Sequence, residues 1–264
     1  NYLKTGFIMT EPDFQTTSNT GSRSSETSTL KETTVKKLLI GITALLLSLH
    51  ATAAPKSDSA IKVGKEIAVF YKNPSAERAA SLMDKLVKAN LMRNTALVWG
   101  TQALQKYPQG STIWCDNIRT YQGDALTFSA YTLALTGTHQ AKTCLDSLTL
   151  NTELKNDLTK SKSFHPLQEP IISAASLDFH WVTYFATGNP KAVERIVDYI
   201  IKAQTEAAQY PEYENLTLAA AIWSTRSNMQ QDATIDGIVR QYIQKQPEAN
   251  KNPLEQALLA PQDD

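Results

Sequence analysis

The apolar residues of this chain recur with the period of an α-helix, behind turns whose chemistry starts and stops helices. Val193, Ile196, Val197, Ile200 and Ile201 fall at i, i+3, i+4, i+7 and i+8, one face of a helix and no face of a strand. Asn189 stands ahead of them as a cap, and Pro190 sits in the first turn, where its missing N–H costs nothing. Asn73-Pro74 repeats the device ahead of Ala79, Leu82, Met83, Leu86 and Val87. Thr136-Gly137-Thr138 parallels Thr187-Gly188-Asn189 and leads into Ala141, Cys144, Leu145 and Leu148. The expected fold is therefore all-α. It is built of antiparallel helical hairpins packed as a bundle or as a short right-handed α-solenoid, and the solenoid would resemble tetratricopeptide stacks in kind but not in motif.

The periodicity predicts helices over 62–72, 74–89, 92–107, 112–121, 124–136, 139–149, 151–160, 168–187, 190–207, 212–229, 232–245 and 253–260. The connector 161–170, with Pro166 and Pro170, is the expected break between subregions of one helical domain, residues 54–264. Val98-Trp99-Gly100-Thr101 is echoed by Ile222-Trp223-Ser224-Thr225. The apolar stripes nevertheless start at different distances from their caps, so the hairpins share chemistry rather than a repeat.

Residues 35–53 read as a secretory signal peptide. Lys36-Lys37 supply the positive start, Leu38–Leu49 an apolar run within the usual 7–15 or so residues, and Ala51-Thr52-Ala53 the small residues at the cut. The run is shorter than the roughly 20 apolar residues that cross a bilayer. Cleavage falls at Ala53 or Ala54, and the cut after Ala53 keeps Pro55 away from the scissile bond. Residues 1–34 are about half Ser and Thr over Thr10–Thr34, and are read as upstream translation or as a disordered leader, with Val35 as the start. The expected address is the bacterial periplasm or outside the cell.

The chain carries 26 Lys and Arg against 26 Asp and Glu, and the exported part remains close to neutral. That balance argues against nucleic acid, which needs a basic face, and no later apolar run could anchor the exported part in a membrane. Cys115 and Cys144 both lie in the exported part, where a disulfide would persist. They are read either as that bridge or as two buried thiols.

Asp178-Phe179-His180-Trp181 through Tyr184-Phe185-Ala186-Thr187-Gly188, together with Leu218–Asn228, resembles a family of uncharacterised exported helical proteins from bacteria. The resemblance implies an all-helical fold and carries no function.

His180, beside Asp178 and Trp181, reads first as a core or interface histidine and second as an acid–base group. A metal site on its helix would want a second ligand at i±4, and Ser176 and Tyr184 occupy those positions. His139 decorates a helix start and His165 precedes Pro166 in a loop. No nucleophile elbow, HExxH or phosphate loop is present, so no catalytic residue, metal or cofactor is assigned. Asp232 and Asp236 sit near a helix start, where carboxylates complement the helix dipole. A binding groove is expected from Asp178, His180, Trp181, Trp223 and Arg226, with Tyr213 on its lip. The expected activity is non-enzymatic binding of an envelope protein or peptide. The alternative is a hydrolase of cell-wall or glycan substrates, with His180, Asp178 and Arg226 converging in an open cleft.

Overall fold

A computed structural model describes residues 58–209 and 216–260. The signal segment 35–53, the cleavage residues Ala53 and Ala54, and Tyr213 lie outside the described residues. Twelve α-helices are described: α1 Asp58–Ala68, α2 Ala76–Lys88, α3 Asn94–Lys106, α4 Gln109–Ile118, α5 Gly123–Thr136, α6 His139–Asp146, α7 Thr152–Thr159, α8 Ala174–Thr187, α9 Pro190–Gln209, α10 Leu216–Gln231, α11 Ala233–Gln244 and α12 Glu248–Leu258. Short 3-10 turns occupy Phe70–Lys72 and Pro166–Gln168, and no strand occurs among the described residues. The fold is all-α.

Local chemistry accounts for most of the boundaries. The Thr138 hydroxyl accepts from the Ala141 N–H at 3.3 Å and starts α6, and the Asn189 side chain accepts from the Lys191 N–H at 3.1 Å ahead of α9. Gly137 and Gly188 end α5 and α8 at φ 69° and 64°, a left-handed conformation that costs any residue with a Cβ. The expected Asn73-Pro74 cap is displaced. Ser75 caps α2, accepting from the Arg78 N–H at 3.1 Å, while Asn73 closes the 3-10 turn before it. The helix expected over 168–187 starts only at Ala174. Pro170 holds Glu169 extended at ψ 144°, and Ser173 with Ser176 forms the capping box. In turn, α12 begins earlier than expected and carries Pro253 inside it, giving up one backbone bond.

Two sets of helices meet at one contact. In the first, α2 packs on α4, α3 on α5, and α4 and α5 on α6; in the second, α9, α10, α11 and α12 pack on one another. The most extensive helix–helix contact, α3 against α8, joins the sets, and α8 also touches α1, α9 and α10. The packing therefore does not run only between successive hairpins. The connector 161–170 is held in place rather than loose. The Phe164 carbonyl accepts from Gln102 at 2.9 Å and from Gln105 at 3.3 Å, and the Phe164 ring meets Phe179 edge-on at 6.0 Å. One core cluster runs through residues on both sides of it. By contrast α7 rests mainly on α5 and buries only Leu158.

Cys115 on α4 and Cys144 on α6 are bridged, with an S–S distance of 2.06 Å and Cα atoms 5.7 Å apart. The bridge closes a loop over a sequence separation of 29 residues, worth about 3–4 kcal/mol in the chain-entropy account. Both sulfur-bearing residues are buried, at 4 % exposure each. Urea unfolding of Cys115→Ala/Cys144→Ala against the oxidised protein should show a loss of about 3–4 kcal/mol. A loss below about 1 kcal/mol would remove the bridge from the account of stability.

Candidate functional site

The described members of the expected groove, Asp178, His180, Trp181, Trp223 and Arg226, do not converge in the structure. His180 is 1 % exposed, on a helix buried nearly all round. Its Nδ1 lies 2.9 Å from the Ser176 carbonyl, a contact made by an Nδ1–H donor, and Nε2 is buried with no partner among the described residues. Burial pushes the imidazole pKa down, with Arg195 adding to it, against the bond to Ser176 that raises it. The ring is therefore neutral at pH 7. Trp181 is 2 % exposed, donates from Nε1 to the Ser224 hydroxyl at 3.1 Å, and stacks on Phe185 at 6.2 Å. Asp178 is half-buried on the same helix.

Trp223 and Arg226 belong to α10 and face elsewhere. Successive helical residues are rotated by about 100°, so Ser224 points at Trp181 while Trp223 turns to solvent at 41 % exposure. Arg226 reaches the opposite neighbour, donating from Nη2 to the Gln256 carbonyl at 3.2 Å and the Ala260 carbonyl at 3.4 Å. The hydrolase arrangement required His180, Asp178 and Arg226 to meet in an open cleft. With His180 buried in α8 and Arg226 holding the end of α12, that arrangement does not form.

The structure brings a different set of residues together. Arg226, Met229 and Gln230 of α10, Asp236 and Arg240 of α11, and Leu258 of α12 line an open cleft of about 440 Å³. Met229 and Leu258, at 8 % and 4 % exposure, form an apolar floor. The Arg240 Nε sits 2.9 Å from both carboxylate oxygens of Asp236. Its terminal nitrogens make no hydrogen bond among the described residues. The Arg226 Nε is buried with no partner among them. Two guanidinium groups face one carboxylate, leaving one positive charge in excess.

The same α10 face continues away from the cleft. Leu216, Ala219, Trp223, Arg226 and Gln230 recur at helical spacing, with Leu216 69 % exposed, so a solvent-facing apolar strip leads into the Arg226 end. Its inward counterpart is Ala221, Ser224, Thr225 and Met229.

A further polar cluster ties the two sets of helices together. The Tyr71 hydroxyl donates to Asp232, Lys72 Nζ lies 2.7 Å from the same carboxylate oxygen, and the Thr234 N–H donates to the other oxygen at 2.9 Å. Burial alone would raise the Asp232 carboxyl, but the Lys72, Tyr71 and Thr234 contacts outweigh it and hold the group below the ordinary carboxylate range. Burial and the Asp232 bond push the Tyr71 phenol well up. Both Asp232 carboxylate oxygens are engaged, so the cluster acts as a structural tie. Asp232 was legible as a helix start, but its reach to Tyr71 and Lys72 was not. Among the described residues no group of His, Cys, Asp and Glu could hold a metal ion, and no helix is long and apolar enough to cross a membrane.

His180 generates a pH prediction. The unfolded chain binds a proton near pH 6.5 and the folded ring only below that, so between the two values the unfolded state carries the extra proton. Unfolding free energy should therefore fall as pH drops from 7.5 toward 5, and the fall should be shallower in His180→Gln; equal slopes in urea titrations of the two proteins would contradict the burial argument. No family model, curated protein or solved structure matches the chain.

Proposed function

We propose that this is an exported, non-enzymatic helical protein that docks an envelope protein or peptide along the outward face of α10. The observation that carries the reading is Trp223, a large aromatic side chain left 41 % exposed on the strip that runs from Leu216 into the arginine-lined cleft. Trp and Arg are among the residues in which binding energy concentrates at protein interfaces. Trp223 stands outside the core cluster, to which α10 contributes Ala221 and Met229.

Export is supported by two features. The stretch from Lys36 to Ala53 has the order of a secretory signal. The Cys115–Cys144 bridge is of the kind that persists in oxidising compartments and is rare in the cytosol. Near-neutral charge agrees with a peptide or protein partner rather than nucleic acid.

Affinity capture from an envelope extract, run in parallel with wild-type protein and Trp223→Ser, tests the reading. Trp223 is 41 % exposed and outside the core cluster, so the variant should fold, which an unchanged circular-dichroism spectrum checks, and a partner held by wild type should drop at least about tenfold, as removal of an aromatic anchor does. Equal recovery by both proteins, or no partner above background with wild type, would contradict it.

A further inference from the structure

The cleft between α10, α11 and α12 has chemistry more specific than an apolar strip. Arg226 is anchored by its Nη2 to the Gln256 and Ala260 carbonyls at the end of α12, which fixes its positive charge at the cleft wall. Arg240 is oriented by Asp236 through Nε alone, so its two terminal nitrogens remain for a planar, two-oxygen acceptor. The floor between them, Met229 and Leu258, is apolar, and methionine adapts its shape to what lies on it. The volume of about 440 Å³ lies in the range of roughly 300–1,000 Å³ that holds small ligands.

We propose that this cleft binds a carboxylate carried on an apolar group, and, resting on the binding reading above, that the carboxylate is the free C-terminus of the partner peptide. The charges favour a single carboxylate over a phosphate. Asp236 and the carbonyl-bearing end of α12 both border the cleft with negative charge, leaving one positive charge to match. A doubly charged phosphate would meet those groups with one net positive charge among the described lining residues to balance it. An apolar last side chain fits against Met229 and Leu258, and the chain before it leaves toward Trp223 along the exposed strip of α10.

The test uses the full chain and four probes in calorimetric titration: N-acetyl-Ala-Ala-Leu as the free acid, the same peptide as its C-terminal amide, N-acetyl-leucine, and inorganic phosphate. The free-acid peptide should bind saturably and at least about tenfold more tightly than the amide, and phosphate should not compete. Arg240→Gln, a change at a solvent-facing side chain, should abolish the preference for acid over amide while leaving the unfolding midpoint close to wild type. N-acetyl-leucine binding as tightly as the tripeptide would overturn the peptide end as the source and leave a small apolar acid as the occupant. Equal affinity for acid and amide, no saturable binding of the acid, or an unchanged preference in Arg240→Gln would overturn the carboxylate site. Loss of the captured envelope partner in Trp223→Ser together with any of those results would leave the α10 reading standing and the carboxylate inference refuted.

Discussion

The helix α8 is buried on nearly every side, and the rest of the molecule is arranged around the cost of burying it. Leu177, Trp181, Val182, Tyr184 and Phe185 go into the core, and each large apolar side chain removed from water stabilises the fold by about 1.5–3 kcal/mol. The same helix carries His180, Thr183 and Thr187, whose polar atoms would be penalised there. Thr183 and Thr187 donate to the Phe179 and Thr183 carbonyls, each at 2.6 Å, and His180 donates to the Ser176 carbonyl at 2.9 Å. By bonding to its own backbone one turn back, α8 satisfies these hydroxyls and the His180 Nδ1 internally, and takes from its neighbours the Ser224 hydroxyl that Trp181 needs. α5 uses the same solution, with Ser129, Thr132 and Thr136 donating to carbonyls four residues earlier.

That internal bonding helps α8 serve as the shared wall between two sets of helices. On one side α3 lies against it, close enough to α2 that a Cβ on Gly100 would come within 2.5 Å of the Met83 sulfur. On the other side α9 and α10 close over it, and Trp181 fixes α10 in rotation by its bond to Ser224. The rotation has a functional consequence. It turns Trp223 outward and places Arg226 against α12, so the cleft and the exposed strip are set by the same contact that completes the core. The Tyr71–Asp232–Lys72 tie and the Cys115–Cys144 bridge add fastening at the two ends without entering the cleft.

The sequence is most readable where a helix has one wet face. The stripe from Val193 to Ile201 is α9, and the Asn189-Pro190 start and the Gly188 stop are where the chemistry places them. α8 is harder, because burial on all sides erases the stripe, and Leu167, Ile171 and Ile172 extend its apolar character backward past the true start at Ala174. Only the extended residue before Pro170 and the paired Ser173 and Ser176 separate the two. Trp181 and Trp223 read alike as sequence, yet one is core and the other exposed, because the inward angle of α10 is fixed by a partner far away in the chain. The Asp236–Arg240 pair is visible as an i, i+4 spacing. That it faces Arg226 and the end of α12 is a property of tertiary packing alone.

The claim on which the account rests is that α8 is the common core, and amide hydrogen exchange under native conditions measures it directly. The amides of Trp181 to Ala186 should exchange only through global unfolding, with an opening free energy equal to that from urea titration, while those of the lightly packed α7 should exchange through smaller openings. Exchange in α8 as fast as in α7 would contradict it.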